Sequence, residues 1–231
     1  MDLLKTCRNV RNHWDFSLRR VLRFPGPAVH HASDSDGVAR QEVGDFLRKF
    51  GWEKVLGARN PDLQVADIGA KNFFLAPLLD AFFRARGFSP EIHGIEVDAF
   101  RRYGDFRLRA QYGEFYASQI EKGRFYPINF LDFERPLDLA LLLNPFVTES
   151  PLLAWGLPLR FLDPQALLDH ARHLLTPNRG LLLVSHPSED ELQINVRLAR
   201  RAGFRLIERQ QWTPSQTSLQ RQGRMGALFG I

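Results

Sequence analysis

The segment Gln64-Val65-Ala66-Asp67-Ile68-Gly69-Ala70-Lys71-Asn72 constrains the fold of this chain most tightly. An apolar run ends in Asp-x-Gly and passes at once into a helix-like segment, residues 73–86. That is the layout of a buried parallel strand feeding a nucleotide-binding turn. Gly69 has access to backbone angles closed to other residues and lets a ligand approach the main chain. The following helix would direct free N–H groups into the same crevice. Asp67 falls at the carboxyl end of the strand, the edge at which open α/β sheets bind ligands.

Strand and helix signals then alternate to the end of the chain. Residues 91–97, 125–130, 137–143 and 180–185 read as strands, and 137–143 is the near-continuous apolar run of a buried parallel strand. Helices are predicted over an arginine-rich stretch, 99–121, interrupted near Gly104 or Gly113, and over 164–175, with Asp163 as N-cap and Pro164 in the first position. Ser188 caps a further helix through Ala202, with Glu191 completing a capping box, and Gly203 ends it. Residues 204–212 and 225–231 pair as a hairpin across the polar linker 213–223, adding an antiparallel edge strand. The alternation predicts an α/β fold with a mostly parallel sheet and helices on both faces, over residues 58–231. Residues 1–57 read as a separate N-terminal helical extension. A basic helix over 10–22 and a polar loop over 30–37 precede an amphipathic helix over 38–56, with Val43, Phe46, Leu47 and Phe50 at helical spacing.

With 231 residues, 44% hydrophobic and 25% charged, the chain suits one α/β domain with an added segment. The lone cysteine, Cys7, excludes an internal disulfide framework. No apolar run is long enough to cross a bilayer, and an early Asp2 with no long apolar stretch after it argues against a signal peptide, so a cytoplasmic protein is expected. The net charge of +5 is concentrated late: from Arg200 onward six arginines face a single acid, Glu208. A basic face permits RNA or DNA as a partner, and solvated surface arginines are the plainer reading.

Four further matches give this pattern a family. The turn Asp67-Ile68-Gly69, the second strand ending Gly94-Ile95-Glu96-Val97-Asp98, the segment Asn129-Phe130-Leu131-Asp132-Phe133 and the fourth strand ending Asn144-Pro145-Phe146 resemble a class I S-adenosylmethionine-dependent methyltransferase. The closing hairpin is similar to that family's last two strands. The resemblance covers residues 63–231 and implies a Rossmann-like, doubly wound, seven-stranded sheet. It also implies S-adenosylmethionine as cofactor, S-adenosylhomocysteine as product and a methyl acceptor, either a small molecule or a nucleic acid. It places cofactor binding at Asp67, Gly69, Ala70, Glu96, Asp132 and Phe133. Glu96 takes the acid that binds the ribose hydroxyls, with Asp98 as the competing acid, and Asn144 is the catalytic or substrate-facing candidate.

The first motif diverges: the family's second glycine is Lys71 here. Lys71 sets a cation near a sulfonium ligand, or reaches the cofactor's carboxylate. Asn144-Pro145-Phe146-Val147 matches the Asn-Pro-Pro-Tyr of amino-methylating enzymes only in part, so a base substrate does not follow from it. Methyl transfer from a sulfonium needs alignment and water exclusion more than covalent help, so a sparse site is expected. His30-His31 with Asp34 and Asp36 reads as a polar surface loop with no zinc spacing, or as a lid carrying a base, and His186 is the alternative base. Phe73, Phe74, Phe82 and Phe83 read as core packing. Trp155 and the apolar stretch 151–161 line a substrate pocket or pack as a loop. No metal site is expected. The alternative to an enzyme is an inactive methyltransferase-like binding or scaffold protein. A nicotinamide oxidoreductase is disfavoured by the missing Gly-x-Gly-x-x-Gly.

Overall fold

The computed structural model describes residues 34–57, 61–213 and 223–231, all within one compact unit. The helix expected over 10–22 and the His30-His31 pair lie outside the described residues. Two helices, α1 (Asp34–Leu47) and α2 (Trp52–Leu56), precede the sheet. Helix α1 begins within the stretch read as a polar loop, and the helix expected over 38–56 is broken before Trp52. Gly51 lies at the break, where a helix interior is least favourable, and its N–H donates to Glu208 Oε2. The indole Nε1 of Trp52 donates to the carbonyl of Leu47 at 2.7 Å, satisfying a group that the end of α1 leaves open.

Seven strands follow: β1 (Asp62–Ile68), β2 (Ser89–Ile95), β3 (Gly123–Tyr126), β4 (Leu139–Leu143), β5 (Leu181–His186), β6 (Arg205–Trp212) and β7 (Arg224–Gly230). The helices between them are α3 (Ala76–Arg84), α4 (Arg109–Ala117), α5 (Glu149–Ala154), α6 (Pro164–Leu174) and α7 (Glu189–Arg201). The strand order is β3-β2-β1-β4-β5-β7-β6. All neighbours are parallel except β7, which runs antiparallel to both β5 and β6. The doubly wound, mostly parallel sheet with a C-terminal hairpin is therefore present. The antiparallel strand is not at the edge, however: β7 inserts beside β5 and β6 takes the edge.

Alternation along β4 divides the core. Leu139 and Leu141 pack with Phe46, Trp52, Leu79 and Phe83 on one face, while Ala140 and Leu142 pack with Leu168, Ala171, Val196 and Phe204 on the other. Phe73, Phe74, Phe82 and Phe83 are all buried, as their spacing predicted. The caps also form as read: Asp163 Oδ1 accepts from Ala166 N, and Ser188 Oγ accepts from Glu191 N while donating to Glu191 Oε2.

The long helix expected over 99–121 shortens to α4. Residues before it turn back through a bridge between Arg102 and Leu108, and Ala110 N donates to Ala99 O at 2.7 Å. The arginines there make specific ion pairs, Arg101 and Arg109 with Asp98, in place of solvating a helix. Among the described residues no helix is long and apolar enough to cross a membrane.

Candidate functional site

A cavity of about 390 Å³ opens at the carboxyl ends of β1, β2 and β4. This is the switch point of the sheet, where connections leave β1 and β4 in opposite directions. The cavity brings together Asp67, Gly69, Ala70, Glu96 and Asn144, five of the seven residues singled out from the sequence. Asp132 and Phe133 do not line it. A 3-10 turn over Phe130–Asp132, capped by Asn129 Oδ1 accepting from Leu131 N, leaves Asp132 exposed. Phe133 is 2% exposed and packs against Tyr126 and His93. Asn129, Phe130 and Leu131 stand at the cavity wall in their stead.

The β1 turn follows an unusual backbone path. Gly69, Lys71 and Phe73 have φ of 76°, 53° and 60°. Lys71 thus occupies, with a side chain, the left-handed conformation that favours glycine, at a cost of about 1 kcal/mol. The turn spends its own amides: Gly69 N and Ala70 N donate to Ile95 O, Lys71 N donates to Glu96 Oε2 at 2.8 Å, and Phe73 N donates to Ala70 O. A Cβ built at Gly69 would meet nothing within 4 Å, so this residue leaves open space facing the cavity.

Two acids dominate the electrostatics. Asp67 is 2% exposed, and its Oδ2 finds no hydrogen-bond partner among the described residues. Burial, and then the neighbouring Glu96, push the Asp67 carboxyl up to about 7. Burial also raises Glu96, against the backbone N–H of Asp98, the Arg109 guanidinium and the N–H of Lys71, which hold it down. Arg109 is itself buried, with Nη1 3.2 Å from Asp98 Oδ2 and 3.5 Å from Glu96 Oε1. Removing it leaves the buried Glu96 without its cation, while Asp98 keeps Arg101. Arg109→Met is expected to lower unfolding free energy by roughly 3–5 kcal/mol in urea denaturation at pH 7. An unchanged midpoint would show that Glu96 needs no such partner.

Trp155 caps α5 and lines the cavity. Arg101 Nη2 donates to its carbonyl at 2.7 Å, and Lys71, Arg101 and Arg109 lie within 4.9–5.7 Å of its ring. Lys71 is thereby drawn toward the indole face. The stretch read as an apolar loop contains α5 and a 3-10 turn, and it contributes Leu152, Trp155, Leu157 and Phe161 to the wall. On the other side Arg224, at the start of β7, enters the wall and its Nη1 donates to Asn144 Oδ1 at 3.2 Å.

His186 does not serve this cavity. Its ring is 1% exposed, its Nε2 lies 3.1 Å from Asn195 Nδ2 of α7, and burial lowers it to about 4, so it is neutral at pH 7. Among the described residues no cluster of three metal-ligating side chains forms.

No protein-family model matches the sequence, and no curated protein sequence matches it. Solved structures do. Magnesium protoporphyrin IX methyltransferase from Synechocystis PCC 6803, with bound S-adenosylmethionine, aligns over 99% of this chain and 97% of its own, with a TM-score of 0.55 and 14% identity. Precorrin-6y C5,15-methyltransferase from Geobacter metallireducens GS-15 covers 82% of this chain and 87% of its own, at a TM-score of 0.52 and 12% identity. Geranyl diphosphate C-methyltransferase from Streptomyces coelicolor A3(2), in complex with S-adenosylhomocysteine, covers 82% and 79%, at a TM-score of 0.52 and 14% identity. With its strand order and antiparallel β7, the chain has the Rossmann-like fold of the class I S-adenosylmethionine-dependent methyltransferases.

Proposed function

We propose that the chain is an S-adenosylmethionine-dependent methyltransferase acting on a small molecule held in the cavity. The observation that carries this reading is the combination of two buried acids with a turn in which the N–H groups of Gly69, Ala70, Lys71 and Phe73 are already taken. A dinucleotide needs free N–H groups for its pyrophosphate. Here the same wall presents Asp67 and Glu96, which repel phosphate and suit a ligand that carries cations and hydroxyls. The residues fit S-adenosylmethionine: Asp67 Oδ2 lacks a partner that an ammonium group would supply, and Gly69 leaves room beside it. Glu96 accepts one N–H at each oxygen, from Lys71 and Asp98, and keeps lone pairs for ribose hydroxyls. Asn129 and Phe130 take the adenine end in this reading, in place of Asp132 and Phe133.

When bound, the cofactor supplies a methyl group on an electrophilic sulfonium. The chain supplies position and dryness. Leu142, Phe146, Leu152 and Trp155 exclude water from the reacting region. Asn144 has φ of 60°, and its Oδ1 is held by Arg224, which leaves Nδ2 to orient a nucleophile. The acceptor is read as a small molecule because the late arginines do not present one common face. Arg224 turns to the cavity, and Arg209 pairs with Glu189.

Calorimetric titration with S-adenosylhomocysteine tests the proposal. Binding in the micromolar range is expected, and Glu96→Gln is expected to weaken it by roughly tenfold through loss of charge-assisted hydrogen bonds. No heat at millimolar ligand would favour the inactive scaffold reading.

A further inference from the structure

Asp67, Lys71 and Glu96 line the β1–β2 side of the cavity, Arg160 and Asp163 also enter its wall, and Arg224 stands on the β4–β7 side behind Asn144. Arg224 is a cation in a largely apolar wall. One nitrogen, Nη1, donates to Asn144 Oδ1. Its Nε is buried with no partner, and Nη2 donates to no acceptor among the described residues. Glu42 of α1 is the acid whose field reaches it, and no hydrogen bond joins the two. Nε has no exposed surface, so the guanidinium can meet a carboxylate in the cavity through Nη2, by a charge-assisted hydrogen bond. An unmatched buried donor is costly, so this guanidinium gains most from an oxyanion brought into the cavity. The cavity lining as a whole is rich in apolar and aromatic residues, Val43, Leu75, Phe146 and Trp155 among them.

Building on the methyltransferase reading, we infer that the acceptor is an apolar molecule bearing a carboxylate, and that the Arg224 guanidinium, through Nη2, is the anchor for that carboxylate. The anchor fixes the acceptor at one end, and Asn144, bound to the same guanidinium, faces it where β4 ends. Arg224 is a binding residue for the acceptor and takes no part in bond making.

The experiment uses decanoate and its uncharged analogue decanol, titrated against tryptophan fluorescence with and without saturating S-adenosylhomocysteine. The variants are Arg224→Gln, which keeps a donor for Asn144, and Arg224→Lys, which keeps the charge without the fork. The wild type is expected to bind decanoate at least roughly tenfold more tightly than decanol, Arg224→Gln to bind them alike, and Arg224→Lys to fall between. Equal binding of the two probes by the wild type, undetectable decanoate binding, or a preference that survives in Arg224→Gln would each overturn the inference. Calorimetry with S-adenosylhomocysteine separates the two possible carboxylates. Its affinity is expected to stay within about threefold in Arg224→Gln. A tenfold loss would assign the guanidinium to the cofactor's own carboxylate and overturn the acceptor assignment. If the wild type does not bind S-adenosylhomocysteine at all, the methyltransferase reading fails, while the decanoate comparison still decides the anion site.

Discussion

Asp67→Asn is expected to weaken cofactor binding and, in the same protein, to raise the melting temperature above pH 7. The folded chain holds the Asp67 carboxyl at about 7 against an ordinary 3.8, so it binds that proton more tightly than the unfolded chain does. The stability linked to this proton is fully present below pH 3.8 and is lost as pH rises through about 7. Over that window the loss is of the order of 4 kcal/mol. Asparagine has the same shape and no charge to bury. The variant should therefore melt roughly 5–10 °C above the wild type at pH 8, and close to it at pH 4. Binding moves the other way: without the carboxylate, an ammonium group has no counter-charge at this position, and S-adenosylhomocysteine affinity should drop by roughly a hundredfold. Melting curves at the two pH values, with calorimetry at pH 8, check both halves. A variant that melts below the wild type at pH 8 would mean that Asp67 holds the fold together. One that binds normally would remove it from the site.

That division between stability and binding bears on what the sequence revealed. The acid–glycine turn after an apolar strand was legible because backbone chemistry dictates it: few residues other than glycine tolerate φ of 76°, and a buried carboxylate at a strand end needs a purpose. The caps at Asp163 and Ser188 were legible for the same local reason. The long helix over 99–121 was misread because helical propensity in an arginine-rich stretch competes with tertiary ion pairs, and Asp98 captures both Arg101 and Arg109. The place of β7 follows from sheet pairing: Ser185 opposite Gly226 and Trp212 opposite Arg224 are long-range registers.

The candidates at strand ends line the cavity, whereas in Asn129-Phe130-Leu131-Asp132-Phe133 a single 3-10 turn exchanges wall and exterior within three residues and places Asp132 outside. The signal was present, since an asparagine ahead of a short helical turn is a capping residue. Arg224 offered no such signal. It stood among six arginines that looked alike, and its place in the cavity wall with its bond to Asn144 distinguishes it.

Gly94→Ala is expected to destabilise the protein by about 2–3 kcal/mol and to loosen the turn after β1. Gly94 lies on β2 directly opposite Asp67 in the sheet register. A Cβ there would stand 2.4 Å from Phe73 Cδ2, inside any real contact, and the ring is not free to leave. Phe73 is fully buried and tilted against Phe125 at 6.0 Å. Its backbone is tied by Phe73 N to Ala70 O at 2.7 Å and Ala76 N to Phe73 O at 3.0 Å. Pushing the ring therefore moves the turn that carries Gly69 and the Lys71 N–H bound to Glu96, so S-adenosylhomocysteine affinity should fall by roughly tenfold along with stability. A double-mutant cycle isolates the cause. Phe73→Ala alone should cost about 3–5 kcal/mol through the cavity it leaves. Adding Gly94→Ala to it should then cost less than about 0.5 kcal/mol, because the clash has lost its partner. If the second substitution costs as much in that background as in the wild type, the strand tolerates only glycine at 94 for a reason other than the ring. The turn would then be independent of the packing beneath it.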